Sequence, residues 1–212
     1  MSKKHHYVPR GYLRYFSIGG KRRQVFTFDK FRGSAYPVNI ADAGCENYFN
    51  TLVVAGQRIA FEPMFNLPDD ALARVLRGIH EHESIQHLSG EEQELVAMLA
   101  AVQFLRTKTI RQSHEDMQRL MVGELAKRGL AVSPDEAAAM KPSAEDLKIA
   151  ALQGMQMVPK LTKILLEKDW TLMRAVGSDC FTTSDTPIAH KSAIPLGASG
   201  LASPGVEVAW PL

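Results

Sequence analysis

The side chains best suited to chemistry begin within the first ten residues. His5 and His6 are adjacent, and neighbouring side chains point to different faces in either a strand or a helix. One imidazole can therefore serve a site while the other packs or forms a hydrogen bond. A neutral imidazole can act as a general base or as a metal ligand near pH 7. The alternative is that both are ordinary exposed histidines at a frayed chain terminus.

A second polar group lies within a long helical pattern. Gln103 and Arg106 fall in a stripe that is otherwise apolar and that repeats with the spacing of one helix face. A buried arginine requires a carboxylate, a backbone carbonyl or an anionic ligand as its partner. We expect Glu62 or Asp185 as an internal partner, in which case the pair is structural. An anionic ligand would instead make this position a binding site.

A third candidate is Asp185, which follows a predicted strand and stands two residues before Pro187. Turns at strand edges often present carboxylates to functional sites. Asp also favours turns for a structural reason, because its side chain accepts hydrogen bonds from nearby backbone N–H groups. The turn alone would therefore account for this residue without any function.

The charge is distributed unevenly along the chain. The first 32 residues carry nine lysines and arginines against the single acid Asp29, a balance of +8, so the remaining residues sum to −6 in a chain of net charge +2. A basic segment on an acidic body is a footprint of polyanion binding. The candidate nucleic-acid-binding residues are Lys3, Lys4, Arg10, Arg14, Lys21, Arg22 and Arg23.

Aromatic residues alternate with these charges, and their rings could stack on bases. They are Tyr7, Tyr12, Tyr15, Phe16, Phe26 and Phe28. The alternative is that the aromatic rings form the core and the basic side chains form its solvated rim. A nucleic-acid partner therefore remains one of two interpretations of this segment.

Several classes of protein are disfavoured. No apolar run approaches the roughly 18 residues of a membrane span, and no apolar segment follows the basic start as in a secretory signal. Two cysteines are too few for a disulfide framework. The chain has no Walker loop, no Gly-x-Gly-x-x-Gly after a strand, and no Gly-x-Ser-x-Gly or Cys-x-x-Cys motif. We therefore expect a cytoplasmic protein with no membrane partner.

The 212 residues are predicted to form a single α+β domain, whose fold would bring the three polar groups together. Its parts are an N-terminal basic motif and hairpin (1–54), a helical block (55–167) and C-terminal strands (168–212). Short strands near both termini are expected to pair into one sheet that the helices cover on one face. The predicted strands are 24–28, 36–40, 52–54, 170–176, 180–183 and 206–210.

The helices follow from apolar spacing and from capping residues. A short helix is predicted after Pro9, followed by helices at 55–66 and from Pro68. One long helix is predicted at about 89–127, because Ser-Gly-Glu-Glu forms a capping box at its start and Gly129 follows its end. A further helix is predicted from Ser143 to about Glu167, with a kink at Pro159.

Three strings in the chain together resemble a bacterial protein family catalogued as domain of unknown function 4238. The first is His5-His6-Tyr7-Val8-Pro9-Arg10, followed by Tyr12-Leu13 and Phe16. The others are Gln103-Phe104-x-Arg106 and Phe181-Thr-Thr-Ser-Asp185-x-Pro187, in the same order and spacing as in the family. The resemblance covers most of the chain, and relatives usually continue beyond Leu212. It implies a shared polar site but no established activity.

These residues lead to three functional hypotheses. In the first, a phosphodiester-directed enzyme uses His5 or His6 as a general base or metal ligand, and Glu62 and Asp185 hold a divalent cation. Arg106 stabilises phosphate charge beside Gln103. In the second, the chain is a non-catalytic module that binds nucleic acid or protein. In the third, Arg106 and Gln103 bind a small anionic ligand.

Overall fold

Short antiparallel strand pairs lie towards both ends of the chain and most of the helices lie between them, which confirms the α+β class. The computed structural model describes residues 3–18, 23–130, 133–194, 200–203 and 205–212. Its strands are β1 (Lys4–His6), β2 (Gln24–Asp29), β3 (Ser34–Asn39), β4 (Cys45–Asn47), β5 (Thr51–Val54), β6 (Gln57–Ala60), β7 (Ala189–Ser192) and β8 (Val206–Ala209). Its helices are α1 (Arg10–Leu13), α2 (Asn66–His82), α3 (Gly90–Leu105), α4 (Lys108–Lys127), α5 (Pro134–Ala139), α6 (Ala144–Gly154) and α7 (Val158–Leu166).

The strands of the described residues pair in four separate two-stranded ribbons, where the sequence had led us to expect one sheet. The pairs are β1 with β4, β2 with β3, β5 with β6, and β7 with β8. Pro37 lies within β3 and lacks the N–H needed to extend a ladder. The two ends of the chain are joined by side chains instead, as the contacts of Tyr12 show below.

The predicted long helix is divided into α3 and α4 at Arg106 and Thr107. The Thr107 side chain accepts a hydrogen bond from the Ile110 N–H and so begins a new helix, which apolar periodicity alone does not reveal. The capping box of Ser89 and Glu92 at the start of α3 is confirmed. The break places Arg106 at the C-terminal cap of α3 rather than within a helix.

The other differences also arise where periodicity misled the prediction. Residues 57–60 form strand β6 and not the beginning of a helix. Residues 170–176 and 180–183 have no strand assignment. The single kinked helix predicted from Ser143 to about Glu167 is instead two helices, because a 3-10 turn at Met155–Met157 separates α6 from α7 and Pro159 lies in the first turn of α7.

Helix α3 lies between two hydrophobic clusters and packs one face against each of them. Leu99 packs with residues of the N-terminal segment and of α2, including Tyr12 and Leu76. Ala97 and Ala101 face the other cluster with Leu165 of α7. Small alanines on this face allow the two helices to approach closely. A helix enclosed in this way carries its polar residues Gln103 and Arg106 into the interior.

Candidate functional site

Tyr12 joins the N-terminal segment to the C-terminal part of the chain. Its hydroxyl lies 2.6 Å from the Pro211 carbonyl oxygen and 2.8 Å from Thr183 Oγ1. A carbonyl only accepts, so Tyr12 donates to Pro211 and the Thr183 hydroxyl donates to Tyr12. Burial raises the pKa of Tyr12 well above its ordinary value, so the phenol keeps its proton. The motif that begins at Phe181 therefore contacts the N-terminal motif through the hydrogen bond between Thr183 and Tyr12.

Gln103 connects helix α3 to the same N-terminal segment. Its amide donates a hydrogen bond to the Tyr7 carbonyl oxygen at 3.0 Å, and its own Oε1 accepts one from Arg106 Nε at 3.0 Å. Both amide atoms are thus used in a side chain that is 1% exposed. Gln103 is accordingly a residue that positions Arg106 relative to the chain segment of His5 and His6.

Asn50 is the centre of the polar network, although no motif or spacing in the sequence points to it. It lies immediately before β5 and is almost fully buried. Its backbone N–H donates to His5 Nδ1 at 3.0 Å, and its side-chain amide donates to Glu62 Oε2. Its side-chain oxygen accepts from Arg111 Nη2 at 3.4 Å. The backbone and side chain of this one residue thus link an imidazole, a carboxylate and a guanidinium.

The hydrogen bond from Asn50 fixes the tautomer of His5. Because Nδ1 accepts a hydrogen bond from the Asn50 backbone N–H, that nitrogen carries a lone pair and the ring proton is on Nε2. The 3.8 Å separation between His5 Nδ1 and Glu62 Oε2 is therefore not an ion pair. His5 is buried on strand β1, so the interpretation of a frayed terminus is wrong for this residue.

Glu62 faces His5, His6 and Asn50 from the 3-10 turn that precedes α2. Its Oε1 accepts a hydrogen bond from the His6 backbone N–H at 3.1 Å. Its other oxygen accepts from the Asn50 amide. The carboxylate therefore joins strand β1 to the loop before β5.

Arg106 pairs with Asp69 of helix α2, and neither Glu62 nor Asp185, the partners we expected, has a described ion pair with it. Arg106 Nη2 lies 2.7 Å from Asp69 Oδ1, and the Arg106 side chain is 3% exposed. Asp69 falls on the inner side of the first turn of α2, where the sequence indicated only a helix start. Among the described residues, Arg106 Nη1 is buried without a hydrogen-bond partner.

Burial dominates the electrostatics of Asp69 despite its bond to arginine. Loss of solvent raises the pKa of Asp69, while Arg106 acts against that rise. Glu62 also raises the pKa of Asp69 and His6 lowers it, because both residues lie close enough to Asp69 to interact with its charge. The pair is therefore a costly arrangement that the fold maintains through the contacts around it.

Arg111 of helix α4 contacts Asn50 and its neighbour Phe49. Its guanidinium lies 3.5 Å from the centroid of the Phe49 ring and donates to the Phe49 carbonyl oxygen at 2.7 Å. Burial lowers the pKa of Arg111 to about 10, so the group remains charged at pH 7. Its Nε is buried and has no hydrogen-bond partner within the described part of the chain.

The two arginines and Asn50 line one small cleft. Phe61, Phe65 and three residues of the α6 region, Ala151, Leu152 and Met155, complete its walls. The free space accommodates about one water molecule, which is also the size of one phosphoryl oxygen. Two guanidiniums with unused donors at an apolar-walled cleft favour an anionic oxygen there.

His6 ends strand β1 and is partly buried. Its pKa is lowered, chiefly by burial and then by the charge of Arg10, with Glu62 acting in the opposite direction. Its Nε2 is buried and has no hydrogen-bond partner among the residues that the structure describes. A neutral imidazole can accept a proton at the ring nitrogen that carries no hydrogen.

The lowered pKa predicts how acid affects the free energy of unfolding. Just below pH 6.5, an unfolded His6 binds a proton that the folded protein does not yet hold, so stability decreases as pH falls. We expect His6→Gln to remove this part of the slope, which is at most about 1.4 kcal/mol per pH unit for one proton. Urea unfolding between pH 5 and 7.5 measures it.

The matched control is His114→Gln, since His114 is exposed on helix α4. That variant should keep the slope of the unaltered protein. A His6→Gln variant with the same slope as the unaltered protein would show that His6 is not held neutral by the fold.

Asp185 is exposed, and within the described residues it forms no ion pair with Arg106. The turn that carries it is closed by Ser184, whose side chain accepts from the Thr186 N–H at 3.1 Å. Burial, the charge of Glu46 and then the charge of Asp185 raise the pKa of Tyr7 to about 12.

Within the described residues, no group of three or more His, Cys, Asp or Glu side chains is arranged to hold a metal ion.

The predicted basic residues are mostly exposed but belong to different surroundings. Lys3, Arg10, Arg14 and Arg23 are exposed. Lys4 forms an ion pair with Asp42. Lys21 and Arg22 lie outside the described residues. The aromatic residues divide into two groups, since Tyr12 is buried in the core whereas Phe26 and Phe28 are exposed.

Comparison with known proteins relates the chain to a family of unknown function. A family model described as "Protein of unknown function (DUF4238)" matches residues 4–212. No curated protein and no solved structure matches the chain. Across the part of the chain that the structure describes, no helix has the length and apolar character that crossing a membrane requires.

Proposed function

This chain belongs to the DUF4238 family, and from its paired arginines we propose that it is a phosphodiester-directed enzyme. The observation that carries the proposal is the convergence of Arg106 and Arg111 on one cleft, each with a buried N–H group that has no acceptor among the described residues. Guanidinium groups bind phosphoryl oxygens with directed hydrogen bonds. The cleft size fits one such oxygen.

The remaining polar residues supply the other parts of a phosphoryl-transfer reaction. His6 accepts the proton of an attacking hydroxyl or water as its oxygen forms a bond to phosphorus. The phosphorus–oxygen bond to the leaving alcohol breaks, and that oxygen takes a proton from solvent. Arg106 and Arg111 stabilise the charge that develops on the phosphoryl oxygens. Gln103 and Asn50 position the two guanidiniums through the hydrogen bonds described above.

The test is cleavage of end-labelled single-stranded RNA and DNA across pH 5 to 8, with EDTA and separately with Mg²⁺ or Mn²⁺. We expect cleavage by the unaltered protein and a decrease in kcat of about 10² to 10³ in Arg111→Lys, since lysine keeps the charge but lacks the Nε donor. Arg119→Lys is the matched control, because Arg119 is exposed on the same helix. Intact RNA and DNA under all these conditions would contradict the proposal.

A second candidate is a non-catalytic module in which the polar centre is architectural. The 3% exposure of Arg106 favours it, because a side chain so enclosed already has a structural role beside Asp69. This candidate predicts that Arg111→Lys changes the melting temperature without any activity to lose. An increase in melting temperature with inorganic phosphate or a mononucleotide, lost in Arg111→Lys, would instead indicate binding of a small anion at the cleft.

A further inference from the structure

The outer face of the β2–β3 hairpin is formed by large aromatic side chains. Phe26 and Phe28 are each 62% exposed, and Phe31 in the connecting turn is fully exposed. We call these three residues the aromatic hairpin face. Val25, on the opposite face of β2, is buried in the core and anchors the hairpin. The exposed rings are therefore held by a fixed strand and are not part of the core.

The register of the hairpin leaves the rings of its two strand residues open. Phe26 is paired with Pro37, and Phe28 is paired with Ala35, so each ring has a small neighbour across the ribbon. Residues two apart on one strand are separated by about 7 Å. At that spacing the rings of Phe26 and Phe28 can each stack on a different planar group.

The charges around this face are mainly positive. Arg23, Lys30 and Arg32 are exposed, and Asp29 is the only acid between residues 23 and 39. Asp29 is already engaged, because its Oδ1 accepts from the backbone N–H groups of Phe31 and Arg32. Its Oδ2 lies 3.6 Å from Arg32 Nε. Arg23 and Lys30 flank the strand that carries the two rings, and Asp29 does not neutralise them.

We propose that the aromatic hairpin face binds single-stranded nucleic acid. Phe26 and Phe28 stack on successive bases, and Arg23 and Lys30 contact the phosphates that connect them. A positive rim beside aromatic rings complements a chain of flat bases and anionic linkers. A duplex is a poor occupant, because its bases are stacked on one another and hidden from the rings. This binding does not depend on cleavage at the buried arginines.

The proposal is tested by fluorescence anisotropy with labelled oligothymidylate of eight nucleotides, in EDTA. We expect Phe26→Ala or Phe28→Ala to weaken binding about tenfold or more, and the unaltered protein to prefer the single strand to a duplex of equal length. Phe28→Leu should also weaken binding, because leucine is apolar but does not stack. Lys30→Gln should decrease the salt slope by about 0.7.

The matched controls are two exposed apolar residues of a different hairpin, β5–β6. Val54 and Ile59 are 50% and 52% exposed, and the variants Val54→Ala and Ile59→Ala should bind as the unaltered protein does. Equal affinity of Phe28→Leu and the unaltered protein would overturn the proposal. So would a change from dimer to monomer in Phe26→Ala during sedimentation without any change in oligonucleotide affinity, since the occupant would then be a second copy of this chain.

Discussion

Arg106→Gln is expected to decrease the free energy of unfolding by about 3 kcal/mol, because it removes one partner of an enclosed ion pair. The variant leaves the Asp69 carboxylate without its guanidinium and the Gln103 oxygen without its Nε donor. Asp69 is 30% exposed and recovers part of its hydration, so the loss falls at the lower end for such pairs. Urea unfolding at pH 7 measures it.

The control for this prediction is Arg119→Gln. Arg119 also pairs with an aspartate, Asp116, but both side chains are more than half exposed. Exposed pairs contribute at most about 1 kcal/mol, so this variant should remain close to the unaltered protein. Equal losses in the two arginine variants would show that burial does not set the role of Arg106.

Asn50→Asp is expected to decrease stability at pH 7 by about 2 to 4 kcal/mol, although the side chain hardly changes shape. The substitution replaces the amide donor to Glu62 with a second carboxylate. Two adjacent carboxylates raise the pKa of one of them, so the folded protein keeps a proton that the unfolded chain has lost. The destabilisation should therefore grow as pH rises from about 4 to 7.

This direction is opposite to the contribution of His6, which makes the two effects separable by urea unfolding over the same pH range. Asn39→Asp is the control, since Asn39 is exposed and uses its side-chain oxygen to accept from the Ala41 N–H. Aspartate accepts equally well there. An Asn50→Asp variant as stable at pH 7 as at pH 4 would contradict the central role assigned to the Asn50 amide.

The sequence predicted the elements whose signals are local. The capping box at Ser89, the hairpin over Gln24–Asn39 and the interruption near Pro159 depend on residues a few positions apart. The break at Thr107 was missed because the apolar stripe continues through it. The pairing of the strands was missed because nothing in a short alternating segment identifies its partner.

Only the part of the candidate site that has a local signal in the sequence could be predicted. His5, His6 and Glu62 do lie together, and Gln103 binds Arg106, as unusual polar residues in apolar surroundings indicated. Asn50 and Arg111 gave no such signal, because an asparagine before a strand and an arginine on an exposed-looking helix are common. Asp185 was selected for its turn, yet the contact to the N-terminal segment is made by Thr183.

The central claim is that Arg106 and Arg111 meet a phosphoryl group at their shared cleft. The most direct measurement is the rate of RNA and DNA cleavage by the unaltered protein, Arg111→Lys and Arg119→Lys, each first shown to be folded. The account predicts cleavage that decreases at least about 100-fold in Arg111→Lys alone. Cleavage that is equal in all three proteins, or absent from all of them, would contradict it.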